Sequence, residues 1–265
     1  MTSAITMLNL LRLPELSKMT NLDNPNNIHV LRAIIQRKPF LRKTYKSFYH
    51  QLLVKIQTIP ADGKIVELGS GASFLKKYNS QIITSDVLPY DGVELVFSAL
   101  DMPFEDNDLS AILMIDVLHH IKDSRQFFRE ADRCLKPGGK LVMIEPANTC
   151  WSKFIYNNFH HEPFNPRGYW GFEEGGPLSG ANMAIPWIIF NRDSELFREE
   201  FPSLRVRSIK IHTPLRYLIS GGLSMRQLLP SALFSLVQFM EWLLSPLNAH
   251  LGMFMTIELE KVKVI

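Results

Sequence analysis

The sequence predicts an α/β protein in which helices cover both faces of a largely parallel sheet. Short apolar runs alternate with helical segments between about residues 60 and 146, and such alternation is typical of β–α–β units. The runs are apolar on both faces, as strands buried between two helical layers are. With 265 residues, 46% of them hydrophobic, the chain suits one domain with elaborations.

The predicted strands are short and bounded by turn residues. Five of them come before residue 147: KIVEL (64–68), QIITSD (81–86), VELVFS (93–98), SAILMID (110–116) and KLVMIEP (140–146). A helix is predicted to start at SFLKKY, and another spans Ser124 to Leu135 and ends at the breaker LKPGG. LRVRSIKIH (204–212) and MFMTIELEKV (253–262) are predicted as two further strands.

Residues 1–59 are expected to form a helical segment, and residues 60–265 the main domain. Apolar residues recur at helical spacing from Asn27 to Ile56, and Pro39 is expected to divide this run into two helices. Two insertions, at about residues 147–185 and 214–250, are expected to cap the sheet. The first is irregular and rich in Trp, His, Asn, Pro and Gly, whereas the second is mostly apolar.

The charge is unevenly distributed along the chain. The net charge is +3, yet no acidic residue lies between Asp23 and Asp62, where seven basic residues stand. The remainder of the chain therefore sums to −4, the difference between +3 and +7. A basic segment on a mildly acidic body points to an anionic partner such as a membrane surface, or to a solvated helix face.

Cysteine usage and the N-terminus favour a cytoplasmic protein. Cys134 and Cys150 have no metal-like spacing and are too few for a disulfide framework. The first residues lack a basic start followed by a long apolar run, so a signal peptide is not predicted. No uncharged apolar run reaches eighteen residues, so no transmembrane helix is predicted.

The turn VELGSGASF is typical of a site for an adenosine-containing ligand. Glu67 ends the first strand, Gly69 and Gly71 form a tight loop, and Asp86 ends the second strand, where a carboxylate can bind ribose hydroxyls. Phe74 stands where NAD-binding loops have a third glycine, and Glu67 would repel a pyrophosphate. A ligand with an ammonium and a sulfonium group, such as S-adenosylmethionine, fits the acidic residue better.

Four motifs in order resemble those of the class I S-adenosylmethionine-dependent methyltransferases, in the ubiquinone/menaquinone-biosynthesis-like (methyltransferase type 11) branch. They are VELGSG, Asp86, ALDMPFEDNDLSAILMIDVLHHI and RCLKPGGKLVMIEP, over roughly residues 60–146. The resemblance implies a Rossmann-like seven-stranded sheet whose last strand is antiparallel, and S-adenosyl-L-methionine as the cofactor. Ser73 departs from the family, which often has a third glycine there.

The same resemblance implies the cofactor contacts. They are expected from Glu67, Gly69, Ser70, Gly71, Asp86, Val87, Leu88, Asp101, Met102 and Asp116. Asp86 would bind the ribose and Asp101 the adenine amino group, with Met102 and Leu88 packing on the ring. Asp101 could instead be an ordinary loop acid, and Asp116 could simply cap the next helix.

The methyl acceptor is expected under the first insertion, beyond the carboxyl ends of the strands. A hydroxyl acceptor needs a base, and the candidates are His161, His160, Glu162 and His120, with His119 less favoured. Substrate contacts are expected from Arg167, Tyr169, Trp170 and Asn182. Plain loop packing is an alternative, and no metal site is predicted because adjacent histidines point apart unless the loop is contorted.

The second insertion indicates an amphiphilic acceptor, such as a lipid-linked glycan or a polyprenyl-type molecule. Leu233, Leu236, Val237, Met240, Leu243 and Leu244 would form one helical face. Ser235, Gln238, Glu241 and Ser245 would fall largely elsewhere. Such a helix either packs on its own domain or lies in a membrane interface.

Three other functions fit the sequence less well than methyl transfer. A catalytically silent methyltransferase fold serving as a scaffold would have no physical need for an intact ligand loop. A nucleic-acid methyltransferase would suit the basic helices, but no Asn-Pro-Pro-Tyr-like tetrapeptide follows the fourth strand. An NAD oxidoreductase is disfavoured by Glu67 and Phe74, so no nucleic-acid partner and no nicotinamide cofactor are expected.

Overall fold

The computed structural model describes residues 11–15 and 23–263. Its centre is a seven-stranded sheet in the order β3-β2-β1-β4-β5-β7-β6, with β7 antiparallel to both of its neighbours. The strands are β1 Lys64–Leu68, β2 Ile82–Asp86, β3 Leu95–Val96, β4 Leu109–Ile115, β5 Leu135–Pro146, β6 Leu204–His212 and β7 Phe254–Lys261. The Rossmann-like sheet with an antiparallel last strand is thus confirmed.

Two strands differ from the sequence prediction. Only Leu95–Val96 of VELVFS pairs with β2, so this edge strand is far shorter than expected. The LKPGG stretch lies within β5 as an irregularity, because Leu109 pairs with Leu135 and Ala111 next pairs with Lys140. The intervening residues bulge out of the ladder, and Gly138 there has φ +84°, which a glycine adopts without strain.

Helices lie on both faces of the sheet. They are α1 Ile28–Arg37, α2 Pro39–Lys55, α3 Ser124–Cys134, α4 Cys150–Phe159, α5 Ile185–Trp187, α6 Ser194–Glu200, α7 Arg216–Ser220, α8 Phe234–Leu243 and α9 Asn248–Leu251. The predicted break at Pro39 is confirmed, since Lys38 leaves helical geometry and Pro39 becomes the first residue of α2. SFLKKY forms only a 3₁₀ turn, Leu75–Lys77, and not the predicted helix.

The first insertion is more regular than its composition suggested. It opens with α4, whose start is stabilised by a reciprocal capping box between Thr149 and Ser152. The Thr149 hydroxyl accepts a hydrogen bond from the Ser152 N–H at 3.0 Å, and the Ser152 hydroxyl accepts one from the Thr149 N–H at 2.8 Å. The expectation of an irregular segment over 147–185 was therefore wrong for its first third.

The hydrophobic core divides between the two faces of the sheet. On one face Phe127, Phe128 and Phe197 pack against buried strand side chains. On the other face Phe48 and Leu52 of α2 share a cluster with residues of β1, β4 and β5, listed as Ile65, Ala111, Leu113, Val142 and Ile144. The described part of the N-terminal segment is therefore built into the main core.

The second insertion packs α8 onto α2 with an unexpected set of side chains. Phe234 and Val237 are buried against Phe40. Glu241, predicted on the polar side of the helix, is also buried, where it pairs with Arg216 and accepts hydrogen bonds from two backbone N–H groups at the start of α7. No helix in the described part of the chain has both the length and the apolar character needed to cross a bilayer.

Candidate active site

A cavity of about 650 Å³ lies at the carboxyl ends of the parallel strands. Its walls include the loops that follow β1, β2 and β4, together with parts of both insertions and of α1 and α2. Ligands in open α/β sheets bind in the crevice outside the carboxyl ends of the strands, where the strand order reverses, as it does here between β1 and β4. The cavity is therefore the candidate active site.

The glycine loop forms one wall of this cavity. Gly69 and Gly71 have φ of +66° and +25°, values that favour glycine. A Cβ at Gly69 would come within 2.4 Å of a Val117 methyl group, so a side chain there would also clash. The Ser70 N–H donates to the carbonyl of Ser85 at 2.8 Å, which ties the loop to β2.

Glu67 lies beneath this loop as a buried carboxylate, 3% exposed. It accepts hydrogen bonds from the hydroxyls of Ser70 and Ser73 at 3.0 and 2.6 Å. Burial raises the pKa of Glu67 to about 7, although these hydroxyls oppose the rise. Within residues 11–15 and 23–263 no basic side chain forms an ion pair with it, so a bound cation would fit this position.

Asp86 sits at the end of β2, facing the same cavity. Its two carboxylate oxygens accept hydrogen bonds from the N–H groups of Gly71 and Leu88, at 3.0 and 3.1 Å. Burial raises the pKa of Asp86, and these amides work against that rise. Each oxygen keeps lone-pair capacity toward the cavity, as ribose hydroxyls require. The residues present thus fit an adenosine-containing cation such as S-adenosylmethionine.

The predicted adenine contacts are not where the sequence placed them. Asp101 is exposed and Met102 is buried in the core beside Phe104, so neither lines the cavity, and Leu88 does not line it either. The cavity wall on this side is formed by Val87, Phe97, Ser98, Ala99 and Leu100. The chain turns between Ser98 and Asp101, which directs Asp101 to solvent.

Four histidines converge on Glu162 at the opposite wall. His119 Nε2 lies 3.4 Å from Glu162 Oε2, and His120 Nε2 lies 3.6 Å from Oε1. His161 Nε2 is 3.6 Å from Oε1, and His160 Nδ1 is 3.9 Å from Oε2. The loop after β4 and the end of α4 bring the two pairs together, which sequence distance alone did not indicate.

The histidines of this cluster differ in charge. Burial alone would lower the pKa of His119, but its contacts with Glu145 and Glu162 outweigh burial and raise it to about 10. Burial lowers the pKa of His120 and of His160 to about 4, so both are neutral at neutral pH. Burial opposes ionisation of Glu162, but His119 and the other histidines hold its pKa well below the usual range.

Asp116 faces the cavity between the cofactor wall and the histidines. It follows β4 with φ +55°, a conformation uncommon for a residue other than glycine. Burial raises the pKa of Asp116 to about 7, while the positive charge of His119 opposes the rise. It therefore exchanges a proton near neutral pH, and it does not cap a helix by any hydrogen bond of its side chain.

The predicted acceptor residues divide into two groups. His160, His161, Glu162 and His120 line the cavity. Arg167 and Tyr169 are exposed and lie outside the cavity. Trp170 is buried against Phe197, and its N–H donates to Asp193. Asn182 forms hydrogen bonds with Asn165 that hold the loop. The structure therefore places the four residues predicted as substrate contacts, Arg167, Tyr169, Trp170 and Asn182, outside the cavity.

Several residues that line or support the cavity were not predicted from the sequence. A tyrosine cluster made of Tyr45, Tyr49, Tyr90, Tyr156 and Tyr217 faces the cavity. Arg32 of α1 donates to the carbonyl of Gly71 at 3.1 Å and so braces the glycine loop. Glu145 at the end of β5 holds His119. The apolar stripe of α1 was the available signal, but its partner could not be identified without the fold.

Comparison with known proteins identifies the central part of the chain. Residues 67–143 match the family described as a methyltransferase domain. The ubiquinone/menaquinone biosynthesis C-methyltransferase UbiE of Hahella chejuensis is 33% identical over 95 residues, which are 34% of this chain and 37% of that protein. A demethylmenaquinone methyltransferase of Listeria monocytogenes is 29% identical over 96 residues, 36% of this chain and 39% of that protein.

These matches leave much of each protein uncompared, since the chain spans less than two fifths of the length of these two curated relatives. Among solved structures, this chain aligns with geranyl diphosphate C-methyltransferase from Streptomyces coelicolor A3(2) with a TM-score of 0.47 at 14% identity. That structure is a complex with Mg2+, geranyl diphosphate and S-adenosyl-L-homocysteine. That alignment covers 84% of this chain and 81% of the other.

Proposed function

We propose that this chain transfers a methyl group to an amphiphilic small molecule. It belongs to the class I S-adenosylmethionine-dependent methyltransferases, in the ubiquinone/menaquinone-biosynthesis-like branch. The observation that carries the proposal is the buried carboxylate Glu67 beneath the loop of Gly69 and Gly71, which lines a cavity of about 650 Å³. A cationic methyl donor offsets the cost of burying that charge.

The residues of the chain divide the work between binding and proton removal. When bound, S-adenosylmethionine supplies an electrophilic methyl group. Glu67 holds the amino-acid end, Asp86 holds the ribose, and the aromatic walls exclude water from the transfer. If the acceptor is a hydroxyl, its proton passes to Nε2 of His120, which is neutral at the acceptor wall and whose Nδ1 is held by the carbonyl of Gly180.

An amphiphilic acceptor is supported by the apolar side of the cavity. Leu218, Leu223 and Met225 of the second insertion line it, together with Phe159 and Met183 of the first. These side chains suit a hydrocarbon tail, such as that of a polyprenyl-type molecule or a lipid-linked glycan. The names of the UbiE and demethylmenaquinone relatives support a polyprenyl-type acceptor.

The experiment incubates the protein with methyl-labelled S-adenosylmethionine and a cellular lipid and glycolipid extract, followed by mass identification of the labelled product. A labelled amphiphile is the expected result. Calorimetry with S-adenosylhomocysteine tests the rival assignment of a catalytically silent scaffold. Heat of binding without any labelled product in extract would contradict the proposed acceptor class, and no heat at all would contradict the enzyme.

An anionic membrane surface is the partner that the outside of the second insertion favours. The apolar ridge is a row of exposed side chains on and beside α8, namely Leu233, Leu236, Phe239, Met240, Trp242, Leu243 and Leu247. Trp242 is 67% exposed. A continuous apolar surface of this kind marks an interaction site, and Trp and Phe are favoured at a lipid interface.

Basic residues are exposed on α2, the helix on which α8 packs. Arg42, Lys43 and Lys46 of α2 are exposed, and Lys43 Nζ lies 5.3 Å from the ring centroid of Phe234 in α8. Other members of the basic segment are used internally, since Lys38 is buried against the carbonyls of Gly222 and Met225. Ridge and exposed lysines together fit anionic headgroups over an acyl layer.

Flotation with vesicles tests this partner. We expect binding to vesicles containing phosphatidylserine at low salt, weakening as salt rises, and little binding to neutral vesicles. The double variant Phe239→Ser/Trp242→Ser should lose flotation, whereas the control Leu196→Ser/Ile209→Ser, at exposed positions elsewhere, should keep it. Concentration-dependent dimerisation that the same double variant abolishes, without flotation, would instead make the ridge a contact between two copies.

A further inference from the structure

We propose that His119, His120 and Glu162 form a binding site for a divalent first-row transition-metal ion at the acceptor wall of the cavity. One ligand atom from each of the three residues lies within 4.8 Å of the other two, and the Nε2 nitrogens are those that face Glu162. Two imidazoles and one carboxylate are a common ligand set for zinc and for iron(II). The inference rests on the proposed function only for what the ion would do there.

The distances between these ligand atoms match those around a metal better than those of hydrogen bonds. Glu162 Oε2 lies 3.4 Å from His119 Nε2, and Glu162 Oε1 lies 3.6 Å from His120 Nε2. A charge-assisted N–H···O bond would be about 2.7–2.9 Å long. Two ligands that each bind a tetrahedral ion at about 2.1 Å stand about 3.4 Å apart. The three groups therefore stand at the spacing of ligands around a common point, and His119, which is protonated when no ion is bound, would release its Nε2 proton on binding one.

The other nitrogen of each imidazole is already held by an oxygen. His119 Nδ1 lies 2.8 Å from Glu145 Oε2, and His120 Nδ1 lies 2.9 Å from the carbonyl of Gly180. Because a carbonyl can only accept, Nδ1 of His120 carries the proton and Nε2 presents a lone pair. Metal-binding histidines nearly always donate their second nitrogen to a carboxylate or carbonyl in this way.

The support for His119 is itself rigid. Glu145 is fully buried, and its Oε1 accepts hydrogen bonds from the N–H groups of Val117 and Leu118 at 2.9 and 2.8 Å. One carboxylate thus fixes both the imidazole and the turn that carries it. Such an arrangement of a carboxylate behind a histidine orients the ring and raises its basicity toward a metal.

The usual objection to adjacent histidines as ligands of one ion is met by the local backbone. Leu118–His120 is a 3₁₀ turn, and the rings of His119 and His120 lie side by side, with centroids 4.3 Å apart and planes inclined by 41°. Both Nε2 atoms consequently face Glu162. The turn Leu118–His120 thus lets two neighbouring histidines face a single ion.

His160 and His161 lie on the other side of the same carboxylate. They also form a triad with Glu162, but His161 is 54% exposed in its side chain, and the backbone N–H of Glu162 donates to His160 Nδ1 at 3.2 Å. That nitrogen is therefore already engaged. The pair His119 and His120 is better buried and better supported, so we assign the ion to it.

An ion at this point would leave a coordination position open to the cavity, because His119, His120 and Glu162 all line it. An oxygen of the acceptor, from a hydroxyl or carbonyl group, is the ligand that would take the open position. Coordination would lower the pKa of a bound hydroxyl and orient the nucleophile toward the methyl donor. His120 would then be a ligand, and the ion would replace it in activating the hydroxyl. This role depends on the proposed methyl transfer, whereas binding of the ion does not.

The test uses tag-free, chelator-treated protein titrated with Zn²⁺ by calorimetry and with Co²⁺ by visible absorption. We expect one saturable site per chain and visible bands typical of Co²⁺ with protein ligands. His120→Ala and Glu162→Gln should each weaken binding at least about ten-fold, and Glu145→Gln by about 10–100-fold through loss of the outer hydrogen bond. The controls His250→Ala and Glu173→Gln, at exposed positions, should bind as the unaltered protein does.

Three results would overturn the assignment: no saturable binding, equal binding by His120→Ala and Glu162→Gln, or loss of binding in His160→Ala or His161→Ala alone. Circular dichroism in chelator shows whether each variant is folded, and only folded variants are compared. Calorimetry with S-adenosylhomocysteine on the same samples separates the two proposals. Heat with the nucleoside but none with Zn²⁺ refutes the ion alone, and the reverse result refutes the methyltransferase assignment alone.

Discussion

The carboxylate of Asp86 accepts a hydrogen bond from the backbone N–H of Gly71 at 3.0 Å, so the end of β2 holds the loop that follows β1. The same carboxylate faces the cavity. One buried side chain thus both shapes the glycine loop and offers oxygen atoms to a ligand. Changes at Asp86 are expected to affect the loop and the cofactor together.

Asp86→Ala is expected to weaken binding of S-adenosylhomocysteine by at least about ten-fold, because hydrogen bonds to a charged group contribute about 1.5–3 kcal/mol. Isothermal calorimetry measures the change. Asp91→Ala is the matched control, since Asp91 is an exposed acid five residues further along. Equal affinities for the two variants would remove Asp86 from the cofactor site.

Binding of S-adenosylhomocysteine is expected to strengthen as pH rises from about 6 to about 8, by up to roughly ten-fold. Burial raises the pKa of Glu67 to about 7. The ammonium group of the ligand pairs with the ionised carboxylate, so at lower pH binding must first remove a proton from Glu67. At pH values well above 7 Glu67 is already ionised and this cost is absent. The affinity for S-adenosylhomocysteine therefore increases with pH.

Glu67→Gln supplies the control for that pH dependence. The amide cannot ionise, so affinity should be weaker at the higher pH and nearly constant across the same range. Calorimetry in buffers of different ionisation enthalpy also reports proton release for the unaltered protein alone. A slope that persists in Glu67→Gln would assign the titration to another group, with Asp116 the first to examine.

Glu162→Gln is expected to lower turnover by about 10²–10⁴-fold while leaving the affinity for S-adenosylhomocysteine unchanged. Glu162 faces the acceptor wall, where it holds the histidine cluster, and it makes no contact with the glycine loop. Labelled-product formation and calorimetry measure the two quantities. Glu173→Gln, in the same insertion but exposed, should retain full turnover.

Glu241→Ala is expected to lower the free energy of unfolding by about 3–5 kcal/mol, because it leaves Arg216 buried without its partner. The Glu241 carboxylate also accepts from the N–H groups of Leu215 and Arg216, at 2.9 and 2.7 Å. Urea denaturation measures the loss. The double variant Arg216→Met/Glu241→Leu should recover part of it, whereas a loss equal to that of Glu241→Ala would contradict the ion-pair explanation.

The sequence predicted the strands and the main helix boundaries because these features depend on residues that are close together in the chain. Strand length, apolar runs and Pro39 depend on neighbours in the chain, and the seven strands and the break between α1 and α2 follow from them. The family motifs also pointed to Glu67 and Gly71 after the first strand and to Asp86 at the end of the second, and all three line the cavity. The chemistry of a charged end and a ribose could be inferred from residue types alone.

Predictions failed where a side chain has two possible environments that spacing cannot distinguish. Glu241 occupies the side of α8 that faces α2, and its burial depends on Arg216, 25 residues away in sequence. Trp170 and Asn182 were expected at the acceptor, but the loop turns them inward to pack and to brace the backbone. Asp101 is exposed and does not line the cavity.

The sequence by itself determined the fold class, the order of the strands' motifs and the nature of the cofactor wall, since these depend on contiguous residues. Only the tertiary structure decided that His119 and His120 meet Glu162, 42 residues beyond His120, and that α1 and α2 close the cavity with tyrosines. The physical reason is that a local pattern records which face of an element is apolar, whereas packing decides which other element that face meets.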